Sequence, residues 1–308
     1  MISIVVPIFN EQEALPQLYR RVSDVMGSVD MPFELILVTG GSTDKSLEIM
    51  LELCQKDRNV KVLEFSRNFG HQVAIAAGLD YARGEAVITM DGDLQHPPEV
   101  IPELIEKWQE GYDVVYTCRQ RTADSGPLKN ITSRFFYAII NRLSKVSIPP
   151  GAADFRLLDR KVVEVFRTLG ERALFYRGLV SWVGYRQAMI PYEAHARYGG
   201  RGKFSFIKKL RFAVDGITSF SSTPLYVSAF IGMIISTLSF VYAAFAIYAR
   251  LFTNRVVQGW TSVMAAVLFL GGIQLIALGI QGAYLGRIYN EVKRRPRYLV
   301  SRAYGFEE

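Results

Sequence analysis

Two uncharged stretches constrain this chain more than any other feature. Residues 224–249 hold no Asp, Glu, Lys or Arg, and neither do residues 256–286. Each exceeds the roughly 20 apolar residues that cross a bilayer as a helix. Helices in soluble cores usually run about 8–20 residues and keep a polar face, so the two stretches read as transmembrane helices with a short connection. The charges around them give an orientation. Lys203, Lys208, Lys209 and Arg211 precede the first stretch, Arg287, Lys293, Arg294, Arg295 and Arg297 follow the second, and only Arg250 and Arg255 lie between. Because Lys- and Arg-rich flanks stay in the cytoplasm, both termini are expected there. Met1 leads straight into Ile2-Ser3-Ile4-Val5-Val6, without the basic and long apolar regions of a cleavable signal, so the domain ahead of the hairpin is also expected to stay in the cytosol.

That domain mixes charge with apolar residues. Over the first 120 residues, short β-branched runs alternate with amphipathic segments, the pattern of βα units around a mostly parallel sheet. Strands are expected at residues 2–6, 33–38, 60–65, 86–90 and 114–117. Leu15, Leu18, Tyr19, Val22, Val25 and Met26 recur at helical intervals between the first two, with Asn10 as the cap. A second helix should start after Ser42 with Leu47, Met50, Leu51 and Cys54 inward. A third should follow Pro97-Pro98 with Val100, Ile101, Leu104, Ile105 and Trp108 inward. Ligands of open α/β sheets lie beyond the carboxyl ends of the strands, which selects the loops at residues 7–11, 39–44, 66–71 and 91–96. Phe204, Ile207 and Leu210 alternate with Lys208, Lys209 and Asp215, as in helices that lie in a membrane interface. The expected layout is a catalytic domain over residues 1–203, interfacial amphipathic helices over 204–222, a two-helix hairpin over 223–287 and a basic tail over 288–308.

The net charge of +7 owes much to the hairpin flanks and suits anionic headgroups. No nucleic-acid recognition motif accompanies it, so nucleic acid is not expected as a partner. Cys54 and Cys118 have neither zinc-site nor disulfide-framework spacing.

The local run richest in chemistry is Met90-Asp91-Gly92-Asp93-Leu94-Gln95, directly after an expected strand. Two carboxylates one residue apart on such a loop can converge on a hard divalent cation such as Mg2+ or Mn2+, and Gln95 adds a neutral oxygen. The composition is also that of an ordinary turn. His71 and His96 have no second ligand at metal spacing in their own segments, so packing or hydrogen-bonding roles are expected.

Several blocks occur together and in order: Ile4-Val5-Val6-Pro7-Ile8-Phe9-Asn10-Glu11, Gly41-Ser42-Thr43-Asp44, Arg67-Asn68-Phe69-Gly70-His71, Asp91-Gly92-Asp93-Leu94-Gln95-His96-Pro97-Pro98 and Asp154-Phe155-Arg156-Leu157. They resemble the signature blocks of inverting family-2-type glycosyltransferases with the Rossmann-like GT-A fold. The endings Gly286-Arg287-Ile288-Tyr289-Asn290-Glu291-Val292 and Arg295-Pro296-Arg297-Tyr298 are similar to those of the bacterial polyprenyl-phosphate (undecaprenyl-phosphate) glucosyltransferase group, with dolichol-phosphate mannose synthase a more distant relative.

The resemblance implies a nucleotide-sugar donor, a polyprenyl phosphate acceptor and a Mg2+ or Mn2+ cofactor at a bacterial inner membrane. It places Pro7, Phe9, Asn10, Glu11, Thr39 and Asp91 around the nucleotide, and Asp91, Asp93 and Gln95 around the metal. Asp93 and Asp154 become the catalytic carboxylates, the second orienting the acceptor phosphate or acting as base. Arg119 and Arg134 become phosphate clamps. Arg197-Tyr198-Gly199-Gly200-Arg201-Gly202-Lys203-Phe204 becomes a mobile loop in which Arg197 and Lys203 close on the phosphates. One position departs from the pattern: Gly40 stands where relatives carry an acid that recognises base or ribose, so Gly40→Asp is expected to tighten nucleotide binding. All of the expected nucleotide-pocket loops precede Pro98.

UDP-glucose is the favoured donor, with GDP-mannose or a UDP-amino sugar as alternatives. A processive polysaccharide synthase would need more spans and a Gln-x-x-Arg-Trp motif, which Trp108, Trp182 and Trp260 do not complete. A catalytically weakened membrane scaffold has only Gly40 in its favour. Gly271, Gly272, Gly279, Gly282 and Gly286 suit close helix packing, within the hairpin or in a homo-oligomer.

Overall fold

A computed structural model describes residues 1–119, 151–169, 171, 176–193, 221–252 and 259–306. The five expected strands are present as β1 (Ile2–Ile8), β2 (Phe33–Gly40), β3 (Val60–Phe65), β4 (Ala86–Thr89) and β5 (Val114–Arg119). Their near-continuous apolar runs are buried on both faces, as parallel strands between helical layers require. The expected helices are α1 (Leu15–Ser28), α2 (Ser46–Lys56) and, in chain order, α4 (Ile101–Gln109), which a 3-10 turn at Pro98–Val100 introduces. On α1, Leu15, Leu18, Val22 and Met26 are buried against the sheet. Asn10 does not cap it: Ala14 holds that position, while Asn10 takes φ 56° within the preceding loop.

A helix absent from the sequence expectation, α3 (His71–Tyr81), packs on β1 and β2. Its run from Ala74 to Leu79 is buried throughout, so it carries no amphipathic period to detect. Contact is close at Gly78, where a Cβ would stand 2.1 Å from Val5 Cγ1. Beyond β5 come β6 (Ala152–Asp159), α5 (Arg160–Thr168), α6 (Tyr176–Trp182) and β7 (Gln187–Tyr192).

Eight strands form one mixed sheet in the order β7-β5-β6-β4-β1-β2-β3-β8, where β8 is Val300–Tyr304. The run β4-β1-β2-β3 is parallel, as is β5 with β7. β6 runs antiparallel to both β4 and β5, and β8 antiparallel to β3. The sheet is therefore less parallel than expected, because β6 and β8 enter from the opposite direction. The carboxyl ends of β1 to β5 share one edge with the amino ends of β6 and β8.

Among residues 288–308, read above as a basic tail, the first continue a long helix and later ones form β8. The two apolar stretches are helices α7 (Thr223–Phe252) and α8 (Trp260–Val292), long and apolar enough to cross a membrane, each with mean hydropathy 1.8 in its core segment. Their large apolar side chains, among them Phe230, Met233, Phe240 and Leu275, point outward. Around Gly271, Gly272, Gly279, Gly282 and Gly286, no described neighbour comes within 4 Å of a would-be Cβ, so these glycines do not serve packing of α7 on α8 among the described residues. Of the expected interfacial segment at residues 204–222, residues 204–220 lie outside the described residues, and residues 221–222 are not helical.

Candidate active site

The site is built on the edge where β1, β2 and β4 end. Two loops there lace together through side chains that bond the opposite backbone. Asn10 Oδ1 accepts from Thr43 N at 2.8 Å, Ser42 Oγ from Asn10 N at 3.3 Å, and Ser46 Oγ from Glu11 N at 2.9 Å. Asp44 accepts from the backbone N–H groups of Gln12 and Ser46. Burial pushes its carboxyl up, but the hydrogen bonds from Ser46 and Gln12 outweigh that and hold it below the usual range. Thr39 is buried, its hydroxyl 2.9 Å from that of Ser42. Pro7 and Phe9, the latter 43% exposed, line an open cavity of about 190 Å³ with Gly40, Phe65, Phe69 and His71.

Gly40 now has a packing reason. A Cβ there would stand 2.6 Å from Arg67 O and 2.8 Å from Phe65 Cβ, so the family's acid does not fit this backbone. Phe65 meets Phe69 edge-on at 5.7 Å, and the Arg67 guanidinium lies over the Phe69 ring at 4.3 Å. The wall that excludes a side chain at position 40 is the Arg67 carbonyl and the Phe65 side chain.

The carboxylate loop follows β4. Gly92 packs beneath β1, its would-be Cβ 2.6 Å from Ile8 Cδ1. Asp93 is buried and its Oδ1 accepts from Gln95 N at 3.1 Å, with Leu94 at φ 62° completing the turn. Asp91 N donates to His96 Nδ1 at 2.9 Å, and the His96 ring is stacked on Phe155 and edge-on to Tyr192. His96 thus has the expected packing role. Asp91 Oδ1 is buried and makes no hydrogen bond among the described residues. A buried carboxylate oxygen without a hydrogen bond is costly, so the chemistry of this atom suits a cation, although among the described residues no three His, Cys, Asp or Glu side chains gather as a metal-ion site.

Asp154 lies inside β6, next to β4, where Thr89 Oγ1 donates to its backbone carbonyl at 2.7 Å. Its buried carboxylate takes Arg156 Nη2 on Oδ1 at 2.8 Å and Gln72 Nε2 on Oδ2 at 3.4 Å. Arg156 is anchored in turn on the carbonyls of Ala153 and Tyr176. His71 faces both site carboxylates: its Nε2 stands 3.3 Å from Asp91 Oδ1 and 3.9 Å from Asp154 Oδ2. Sequence reasoning missed His71, Gln72 and Arg156 as site residues, although His71 and Arg156 belong to the ordered blocks quoted above. Arg119 ends β5 on the same edge and is exposed. Arg134, Arg197 and Lys203 lie outside the described residues.

Among known families, the model for glycosyl transferase family 2 matches residues 3–166, from β1 into α5 and including both carboxylate segments. The chain belongs to this family. An uncharacterized glycosyltransferase of Synechocystis sp. is 46% identical over 99% of this chain and 96% of its own length. The SfII prophage-derived bactoprenol glucosyl transferase of Shigella flexneri is 43% identical over 98% of each. Among solved structures, mannosyl-3-phosphoglycerate synthase from Rubrobacter xylanophilus is similar over 70% of this chain and 71% of its own, with TM-score 0.48 and 15% identity. This family 2 glycosyltransferase has the mixed α/β sheet of the GT-A fold, with two apolar helices compatible with a hairpin near its carboxyl end.

Proposed function

We propose that this glycosyltransferase moves a hexose, glucose from UDP-glucose, onto polyprenyl phosphate at the cytoplasmic membrane face, with inversion at the anomeric carbon. One observation carries the reading: Asp91, with a buried oxygen that makes no hydrogen bond among the described residues, and Asp154, held by Arg156, both face His71, which lines an open cavity. Relatives named bactoprenol glucosyl transferases support the lipid acceptor and the glucose.

In this reading Pro7 and Phe9 bound the nucleotide pocket, while Asn10, Glu11 and Thr39 shape the laced loop beside it. Asp91, Asp93 and Gln95 would hold Mg2+ or Mn2+, which supplies positive charge against the departing nucleoside diphosphate. A phosphate oxygen of the lipid forms the new bond to the anomeric carbon as the bond to the diphosphate breaks. A lipid phosphate is already ionised near neutral pH, so orientation matters more than a strong base. Asp154, fixed by Arg156 and Gln72, provides that orientation, and Arg119, with Arg134, Arg197 and Lys203, neutralises phosphate charge. The topology is supported by β8: this strand follows α8 yet pairs with β3, as expected if the two apolar helices return the chain to the side of the membrane it left.

The test is transfer by the full-length protein in liposomes containing undecaprenyl phosphate, with UDP-glucose, GDP-mannose and UDP-N-acetylglucosamine compared, each with Mg2+, Mn2+ or chelator. A lipid-linked glucose formed only with a divalent ion is expected. Lipid product with none of the donors removes the acceptor assignment, and undiminished transfer in chelator removes the metal.

A further inference from the structure

The segment that emerges from α8 does more than end the chain. It enters the sheet at the site edge, because β8 is antiparallel to β3, and its first contacts fall on residues bordering the cavity. Ser66 N donates to Leu299 O at 3.0 Å and Val300 pairs with Phe65, with the register shifting beside it. The Tyr298 ring stacks on Phe65 at 5.3 Å between centroids and 25° between planes. Its hydroxyl donates to Asp80 Oδ2 at 2.8 Å, on the helix α3 that presents His71 and Ala74 to the cavity. Further along, Phe306 meets Tyr81 edge-on at 5.2 Å and Lys61 Nζ lies 5.3 Å over its ring, so the strand is held at both ends.

Tyr298 therefore touches two walls of the cavity, Phe65 at the end of β3 and, through Asp80, the helix α3. Phe65 itself closes over Gly40 and meets Phe69 edge-on, and α3 carries the residue between the two site carboxylates. Burial and the facing Asp80 carboxylate push the Tyr298 phenol well above its usual value, which keeps it protonated and able to donate across the physiological range.

We propose that Tyr298 is a positioning residue of the donor pocket, its ring setting Phe65 and its hydroxyl setting α3. Donor binding then depends on residues that the chain reaches only after both apolar helices. This rests on reading the cavity as the nucleotide-sugar pocket, and it changes the expectation that the pocket is complete before Pro98.

The experiment uses full-length protein in liposomes and measures KM for UDP-glucose and for undecaprenyl phosphate separately, together with UDP binding by calorimetry. Tyr298→Ala should raise the UDP-glucose KM about tenfold and weaken UDP binding in parallel, with the lipid KM unchanged. Tyr298→Phe keeps the stack and loses one charge-assisted hydrogen bond, so about a threefold rise is expected. Asp80→Ala should match it, and the double variant should be no worse than either single one. If Tyr298→Ala does not fold, Tyr298→Phe and Asp80→Ala decide alone. Unchanged UDP-glucose KM in these variants, or equal losses for both substrates, overturns the positioning role. If wild-type protein binds no UDP, the reading of the pocket itself is wrong, which is a distinguishable outcome.

Discussion

The two edges of the central sheet bury carboxylates in opposite ways. At the amino edge of the parallel strands, Glu34 is buried and fully answered: Ser3 Oγ and Arg83 N donate to Oε1, Lys61 Nζ to Oε2, and Gly84 N returns a bond to Ser3. At the carboxyl edge, Asp91 keeps a buried oxygen with no hydrogen bond among the described residues, while Asp154 has one oxygen on Arg156 and turns the other toward Gln72 and His71. Both edges belong to the same close-packed core. Satisfaction of charge holds the first together, and the second carries a local cost that a bound substrate and cation would relieve.

The largest expected effect comes from breaking the open edge. Asp91→Ala should lower kcat by about a thousandfold, the scale of losing preorganised charge stabilisation at the leaving group, and Asp93→Ala should do likewise. Asp91→Ala removes a buried oxygen that makes no hydrogen bond among the described residues and is faced by His71 Nε2 at 3.3 Å, so the apparent melting temperature should hold or rise. A thermal scan beside the liposome assay checks both; a large fall in melting temperature would mean that Asp91 is structural and the contrast between edges is false.

The closed edge should give the mirror result. Glu34→Ala strands Lys61 near the interior, a change that costs about 3 kcal/mol or more, while transfer measured below the new melting temperature stays normal. The pH dependence has a definite sign. Burial raises the Glu34 carboxyl, but Lys61, Ser3 and the Arg83 N–H outweigh it, and the group ends below its ordinary 4.5. A depressed carboxylate stabilises above its unfolded value and loses that contribution as pH falls through the folded one. Wild-type stability should therefore drop below about pH 4.5, and Glu34→Gln should flatten that part of a stability profile.

A smaller effect tests the cavity wall. The family pattern alone favours Gly40→Asp as a gain in nucleotide affinity, yet the side chain would meet Arg67 O and Phe65 at 2.6 and 2.8 Å. Such overpacking typically costs about 1–3 kcal/mol, so calorimetry should show UDP binding weakened by roughly tenfold. Tighter binding would show that the 65–69 segment yields easily and that Gly40 is a deficit after all.

The same contrast explains what could be read from the sequence. β1 to β5, α1, α2 and α4 announce themselves by period and turn chemistry, and Asp91 with Asp93 by local spacing. The helix α3 does not, because it is buried on every side and shows no polar face. Nor do β6 and β8: each inserts antiparallel to its neighbours, and pairing across long sequence separations leaves no local trace. The site repeats this. His71 meets Asp91 and Asp154 only because β6 lies beside β4 and α3 covers β1, and Tyr298 reaches Phe65 only through the return of the chain after α8. Glu34, by contrast, finds Lys61 and Ser3 at matching positions near the amino ends of adjacent strands.

The smallest expected effect asks whether charge matters away from both edges. Arg21 on α1 donates through Nε to Glu99 Oε1 at 2.9 Å and pairs with Oε2 through Nη2, a two-pronged contact with the turn just beyond the carboxylate loop. The geometry is good, but Glu99 is about half exposed, and exposed ion pairs contribute only about 0.2–1 kcal/mol because water and salt screen them. Asp91 stands on the other side of His96, Pro97 and Pro98 from this contact, and His96 is already fixed by Phe155 and Tyr192. The carboxylate loop therefore has its own anchors. Arg21→Ala should leave both KM values and kcat within about twofold and shift the melting temperature slightly, with the shift vanishing in high salt. A clear loss of transfer in this variant, without loss of stability, would mean that the open edge is set from α1 as well as from β6, and its anchoring would extend beyond His96 and its aromatic neighbours.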